Sequence, residues 1–161
     1  MSQFNPYAKF MDGRTSEAIL AESGATLALL LTQIGPARVH LAPAPGKWSP
    51  AEIIAHLADC EIAFAFRIRQ ALAEENHVIQ PFDQDKWAAH YQDANAEEAL
   101  ALFLSLRNWN LKLIHKALPA NANRAVTHPE RGTMSFTGML ESFAGHDLNH
   151  IAQLKAMAAT A

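Results

Sequence analysis

Thr137-Gly-Met-Leu-Glu-Ser-Phe-Ala-Gly-His-Asp-Leu-Asn-His-Ile-Ala-Gln-Leu154 is the last long apolar stretch of this chain, and it reads as a helix. Phe136, Leu140, Ile151 and Leu154 set the centre of its apolar stripe at the helical period. His146 and His150 stand four residues apart within it. That spacing is about one helical turn, so both imidazoles project from the same side. Two neutral imidazole nitrogens held this way can bind one transition metal, as the HExxH zinc helix does.

Three more segments carry the same period. The first runs from about Thr15 to Ile34, with Ile19, Leu27, Leu30, Leu31 and Ile34 as its apolar members, and stops at Gly35-Pro36 because proline cannot continue the hydrogen-bond ladder. Pro43, Pro45 and Gly46 make Pro36–Trp48 a loop. Ser49-Pro50-Ala51-Glu52 then places a capping serine, a proline at the first helical position and a glutamate at the third: a capping box. The second helix is expected to reach about Glu75 on a stripe of Ile53, Leu57, Phe64, Ile68 and Ala71. Residues 76–95 read as irregular, with a short turn at Asp83–Tyr91. Asn95-Ala-Glu-Glu98 opens a third helix expected to end before Pro119, and Thr127–Thr133 reads as a loop before the fourth helix, which runs to about Ala158.

No β-alternating run of useful length stands out, so the expected fold class is all-α, a four-helix bundle. The connections are long, roughly 13–19 residues against a usual ~2–8. They permit crossovers and do not dictate an up-down-up-down order. The expectation is a single domain over residues 1–161 with its core at about 15–158.

Composition narrows the function classes. Half of the 161 residues are apolar and 18% are charged, which excludes a disordered tail protein. A net charge of −3 with scattered Lys and Arg gives no electrostatic reason to bind nucleic acid. The single cysteine, Cys60, cannot form an internal disulfide and suits a reducing cytoplasm. The N-terminal Met-Ser-Gln-Phe-Asn-Pro-Tyr-Ala-Lys-Phe has no apolar core of signal-peptide length. No uninterrupted apolar run approaches the ~18–20 residues of a membrane span. A soluble, cytoplasmic protein is the expectation.

On helical-wheel angles His150 falls about 50–60° from the apolar centre of its helix, and His146 about 40° further. His56 lies on a similar shoulder of the second helix, with Cys60 and Arg67 on that edge. Such shoulders suit a partly open metal site, if His56 meets the pair. Asp147, near the middle of the fourth helix's stripe, must find a partner. It is either an acceptor for a histidine N–H or a clamp between helices. Asp59, one turn beyond His56, is the one candidate proton acceptor, unless it is simply solvated. Cys60 is either a fourth ligand or an inert buried thiol. Gln153 and Asn149 continue the polar edge and could touch a ligand. His40, His77, His90 and His115 are expected to face solvent, and Trp48, Trp87 and Trp109 to form core or cleft wall.

Three stretches together, Trp48-Ser-Pro-Ala-Glu-Ile-Ile-Ala-His-Leu-Ala-Asp-Cys-Glu61, His128-Pro-Glu-Arg-Gly132 and Gly145-His-Asp-Leu-Asn-His-Ile-Ala-Gln153, resemble the DinB-like (DinB/YfiT) superfamily in order and spacing. The resemblance covers roughly residues 15–158. It implies a four-helix bundle with a divalent metal, usually nickel or zinc, on three histidines, which are His56, His146 and His150 here. It also implies a homodimer, a small-molecule substrate, and either hydrolysis or transfer involving a low-molecular-weight thiol. Three nitrogen ligands leave room for water or substrate, as in catalytic zinc sites. The absence of a Glu beside either ligand of the helical pair leans toward the thiol route. The competing class is a non-catalytic metal-binding or stress-response protein.

Overall fold

The computed structural model describes residues 5–159, so the start of the N-terminal segment read above lies outside the described residues. Among them, four long helices make the bundle: α1 (Ser16–Ile34), α2 (Pro50–Ala73), α4 (Ala96–Asn121) and α5 (Phe136–Ala159). A short helix, α3 (Gln84–Ala88), lies between α2 and α4. Local chemistry sets the starts. Thr15 Oγ1 accepts the Ala18 N–H, and Ser49 and Glu52 make the reciprocal capping box. Asn95 Oδ1 takes both the Glu97 and Glu98 N–H groups, satisfying donors that a helix N-terminus leaves free.

The helix order follows from which residues meet. Ile53 and Leu57 of α2 share a core with Phe103 of α4, and Glu61 meets Arg107 and Asn110 further along, so α2 and α4 run parallel. Ser23 of α1 meets Asp147 of α5, and Leu27 to Ile34 pack with Ile151 and Leu154, so α1 and α5 are also parallel. The two pairs oppose each other: Leu20 and Gly24 face Arg107 and Leu104, and Phe64 and His56 face Phe143 and His146. The long α2–α4 connection is therefore used, since parallel neighbours cannot be joined by a tight turn.

Several expectations need correction. The all-α four-helix bundle is as expected, but the stretches read as irregular or loop hold a small three-stranded sheet, β1 (His77–Val78), β2 (Ala125–His128) and β3 (Gly132–Ser135), at one end of the bundle. β1 pairs parallel to β2, and β2 antiparallel to β3. Strands of two to four residues are too short to declare a period of two. Val126 and Met134 of the sheet and Ile79 just after β1 join the core beside Phe136 and Met139. Helix α4 passes through Pro119 and ends at Asn121. The proline falls in the last turn, where one lost hydrogen bond costs little of the ladder. His77 is buried, its Nδ1 2.7 Å from Glu74 Oε2, rather than solvent-facing. Trp109 is exposed rather than core or cleft wall. Helix α1 is long and apolar enough by length and composition to cross a membrane, at a mean hydropathy of 1.2, although Glu17 and Glu22 interrupt its apolar run as expected. Here its Ile19, Leu20, Leu27, Leu30 and Ile34 are buried in the bundle core.

Candidate metal centre

His56 sits in the second turn of α2, and His146 and His150 lie mid-way along α5, where the antiparallel α2/α5 contact brings them together. His56 Nε2 is 3.1 Å from His146 Nε2, and His150 Nε2 is 3.2 Å from the same atom. Ligand nitrogens at ~2.0–2.1 Å from one ion stand about 2.9 Å apart at a right angle and about 3.4 Å apart at the tetrahedral angle. These two separations fall between those values, and the ligand atoms of all three histidines lie within 4.8 Å of one another, so the cluster could hold one divalent ion.

Protonation supports the same fit. Burial pushes His56 down to about 3, helped by His150, and holds His146 well below the ordinary histidine range. Burial also lowers His150, although Gln153 and Asp147 oppose the shift. His150 Nδ1 lies 3.0 Å from Gln153 Oε1. An amide oxygen accepts, so the proton sits on Nδ1 and the Nε2 lone pair faces the other rings. Neutral rings with converging lone pairs repel one another unless a cation or proton lies between them. The centre is more enclosed than wheel angles suggest: all three imidazoles are buried. Trp48 covers them, its ring 4.8 Å from that of His56 and stacked 6.2 Å from that of His150.

The other candidates are spread around this cluster. Cys60 Sγ is 3.5 Å from His56 Nε2, and burial raises its thiol far above the usual range, so it is a neutral thiol beside the donors. The Asp59 carboxylate accepts from the Tyr91 hydroxyl at 2.9 Å. Asp147 points the other way. Its Oδ2 accepts from Ser23 Oγ and from Arg107 Nη1, each at 2.7 Å, the arrangement of a clamp between helices.

That clamp belongs to a buried network that sequence reading missed. Arg107 of α4 bonds Glu61 of α2 through Nε and Nη2 at 2.9 and 2.6 Å, Asp147 of α5, and the Leu20 carbonyl and Ser23 hydroxyl of α1. One guanidinium thus joins all four long helices, next to the histidine-bearing face of α5. Burial raises Glu61 above the usual carboxylate range, while Arg107 pulls it back. Burial alone would lower Arg107, but the Asp147 and Glu61 carboxylates overturn that and hold it fully charged. The only sequence signal was a lone arginine at an apolar register of α4.

Two cavities adjoin the histidines. One of about 230 Å³ reaches His146 and Cys60, with Tyr7, Arg67 and Arg131 on its walls. A more open one of about 790 Å³ reaches His150, with Trp48, Asn149 and Gln153. Tyr7 and Gln84 line both. Tyr7 approaches because position 145 is glycine: a Cβ there would stand 2.5 Å from the Tyr7 Cβ.

A bundle that gathers three buried imidazoles at a helix contact defines a class of metal-binding helical proteins. The profile of the DinB superfamily matches residues 19–154, and the chain belongs to that superfamily. A protein of Oceanobacillus iheyensis, provisionally named a metal-dependent hydrolase, is 31% identical over 113 residues, covering 70% of this chain and 66% of the relative. A Bacillus mycoides protein with the same provisional name is 25% identical over 114 residues, covering 70% and 65%. The match thus spans just under two thirds of these relatives' lengths. YfiT from Bacillus subtilis, itself described provisionally as a metal-dependent hydrolase with an unusual four-helix bundle topology, shares the fold at a TM-score of 0.82. It is 22% identical, with 90% of this chain and 85% of that chain covered.

Proposed function

We propose that this protein is a metal-dependent hydrolase of a small molecule, with a divalent ion, nickel or zinc, held by His56, His146 and His150. The observation that carries the reading is the meeting of three buried, neutral imidazole nitrogens at 3.1 and 3.2 Å. The provisional names of the relatives point the same way. Imidazole suits zinc and nickel. Bound there, the ion would act as a Lewis acid that lowers the pKa of the group in its open position. The chain's own residues hold and orient. Gln153 keeps the His150 proton on Nδ1, Trp48 shields the rings from bulk water, and Arg107 ties Asp147, the neighbour of His146, to the other helices.

One observation favours a second reading. Asp59, the expected proton acceptor, already accepts from Tyr91 and does not line either cavity beside the histidines. A low-molecular-weight thiol in the open position would need no such base, because a cation stabilises the thiolate directly.

The test is untagged protein assayed with and without chelator against esters, amides, and electrophiles offered with thiols. Hydrolysis lost on chelation and restored by zinc or nickel is expected. Turnover that appears only with added thiol selects the second reading. Full metal occupancy with no turnover in any arm would leave a metal-binding protein, and hydrolysis indifferent to chelation would overturn the metal reading.

A further inference from the structure

The 230 Å³ cavity beside His146 carries charge that the proposed reaction does not use. Arg67 of α2 is half-buried on its wall, with its guanidinium 5.3 Å from the Phe82 ring centre and Nη2 donating to the Gln80 carbonyl at 3.0 Å. Arg131 enters from the exposed turn between β2 and β3. Among the described residues neither arginine has a carboxylate within ion-pair distance. Glu130, which also lines the cavity, forms no ion pair with either. The remaining walls are mixed: Phe64, Phe82, Met134 and Met139 are apolar, whereas Gln84, His128 and Ser142 are polar.

The field of these two cations is felt around the chamber. Arg131 opposes the burial-driven rise of Tyr7 and adds to the lowering of Arg67, His128 and His146. Arg67 acts in the same sense on Cys60 and His128. Two guanidiniums that face one chamber and repel each other favour an anion between them, and a carboxylate matches their planar donor forks.

We infer that this cavity is the substrate chamber and that it selects small organic acids. A carboxylate sits between Arg67 and Arg131, an apolar body rests on Phe82 and Met134, and the reacting group lies toward His146. The volume suits a compound on the order of ten non-hydrogen atoms. The chamber's link to turnover rests on the hydrolase reading above, whereas its preference for anions does not.

The experiment is calorimetric titration of phenylacetate and its neutral counterpart phenylacetamide into chelated and zinc-loaded protein, repeated with Arg131→Gln and Arg67→Gln. The acid is expected to bind about tenfold or more tightly than the amide in both metal states, as for hydrogen bonds to a charged group. Either substitution should reduce that preference to about threefold or less. Arg131 is on an exposed turn, so its variant keeps the fold and decides the matter if the Arg67 variant does not fold. Acid binding that needs zinc and ignores both arginines would make the acid a plain metal ligand and overturn the chamber while sparing the metal reading. Equal affinity for acid and amide, or no binding of either, would also overturn it. An arginine-dependent acid preference in protein that takes up no zinc would sustain the chamber and sink the metal reading instead.

Discussion

Arg107 Nη1 lies 2.7 Å from Asp147 Oδ2, with both side chains almost wholly buried, so the neighbour of one candidate ligand is pinned to a different helix. Replacing Arg107 with methionine strands the Asp147 and Glu61 carboxylates without their cation. Breaking a buried pair from one side typically costs about 3–5 kcal/mol. Urea unfolding should show a loss of that size, and a loss below about 1 kcal/mol would mean the network adds little.

Gln153 offers a gentler perturbation. Its amide oxygen sets the His150 tautomer from the protein surface, so Gln153→Leu should leave the core intact. Losing such an orienting partner usually weakens metal affinity about 10–100-fold. Chelator competition measures it, and unchanged zinc affinity would remove Gln153 from the site.

His150→Ala should abolish stoichiometric metal binding while keeping most helicity, because Ile151, Leu154 and Leu140 supply the packing of α5. Metal analysis and far-ultraviolet circular dichroism separate the two effects. An unfolded variant would make the histidine cluster a structural necessity.

The expected pH response of metal-free protein follows from burial. Unfolded histidine titrates near ~6.5, whereas folded His56 is pushed down to about 3 and His146 and His150 are lowered with it. Between those values the unfolded chain binds more protons, so stability is full above about 6.5 and falls as pH drops toward 3. The raised carboxyl of Glu61 acts in the opposite sense. Comparison with His150→Ala, which keeps Glu61, His56 and His146, isolates the contribution of His150. A urea midpoint flat from pH 7.5 to 5 in the chelated wild type would contradict this account.

Gly145→Ala would place a methyl 2.5 Å from the Tyr7 Cβ and 3.1 Å from its carbonyl oxygen. Backbone cannot move as cheaply as a side-chain tip, so the segment bearing Tyr7 should lift away at a cost of about 1–3 kcal/mol. Faster amide exchange at residues 7–11 is the expected readout, and unchanged exchange would show that the contact relaxes elsewhere.

The helix starts were legible because capping is a local affair: Thr15, Ser49 and Asn95 each bond within three residues. The histidine pair was legible for the same reason. The sheet was not, since His77 pairs with Val126, far along the chain, through backbone atoms that side-chain patterns do not encode. Nor was the Arg107 network, whose partners Leu20, Ser23, Glu61 and Asp147 come from three other helices. Sequence periodicity identifies a buried face but not which polar groups meet across it. That is also why Asp147 stayed ambiguous, whereas His77 was misplaced because it lies in a strand paired far along the chain.

The parallel pairing of α1 with α5 and of α2 with α4 has a kinetic consequence. Contacts between distant stretches must wait for large loops to close, which slows folding. His56 and His146 are separated by 90 positions, so a complete coordination sphere arises only after the terminal helix has docked. An ion would therefore enter an almost finished molecule rather than nucleate one. Refolding should proceed at the same rate with or without added zinc, while unfolding slows when zinc is present.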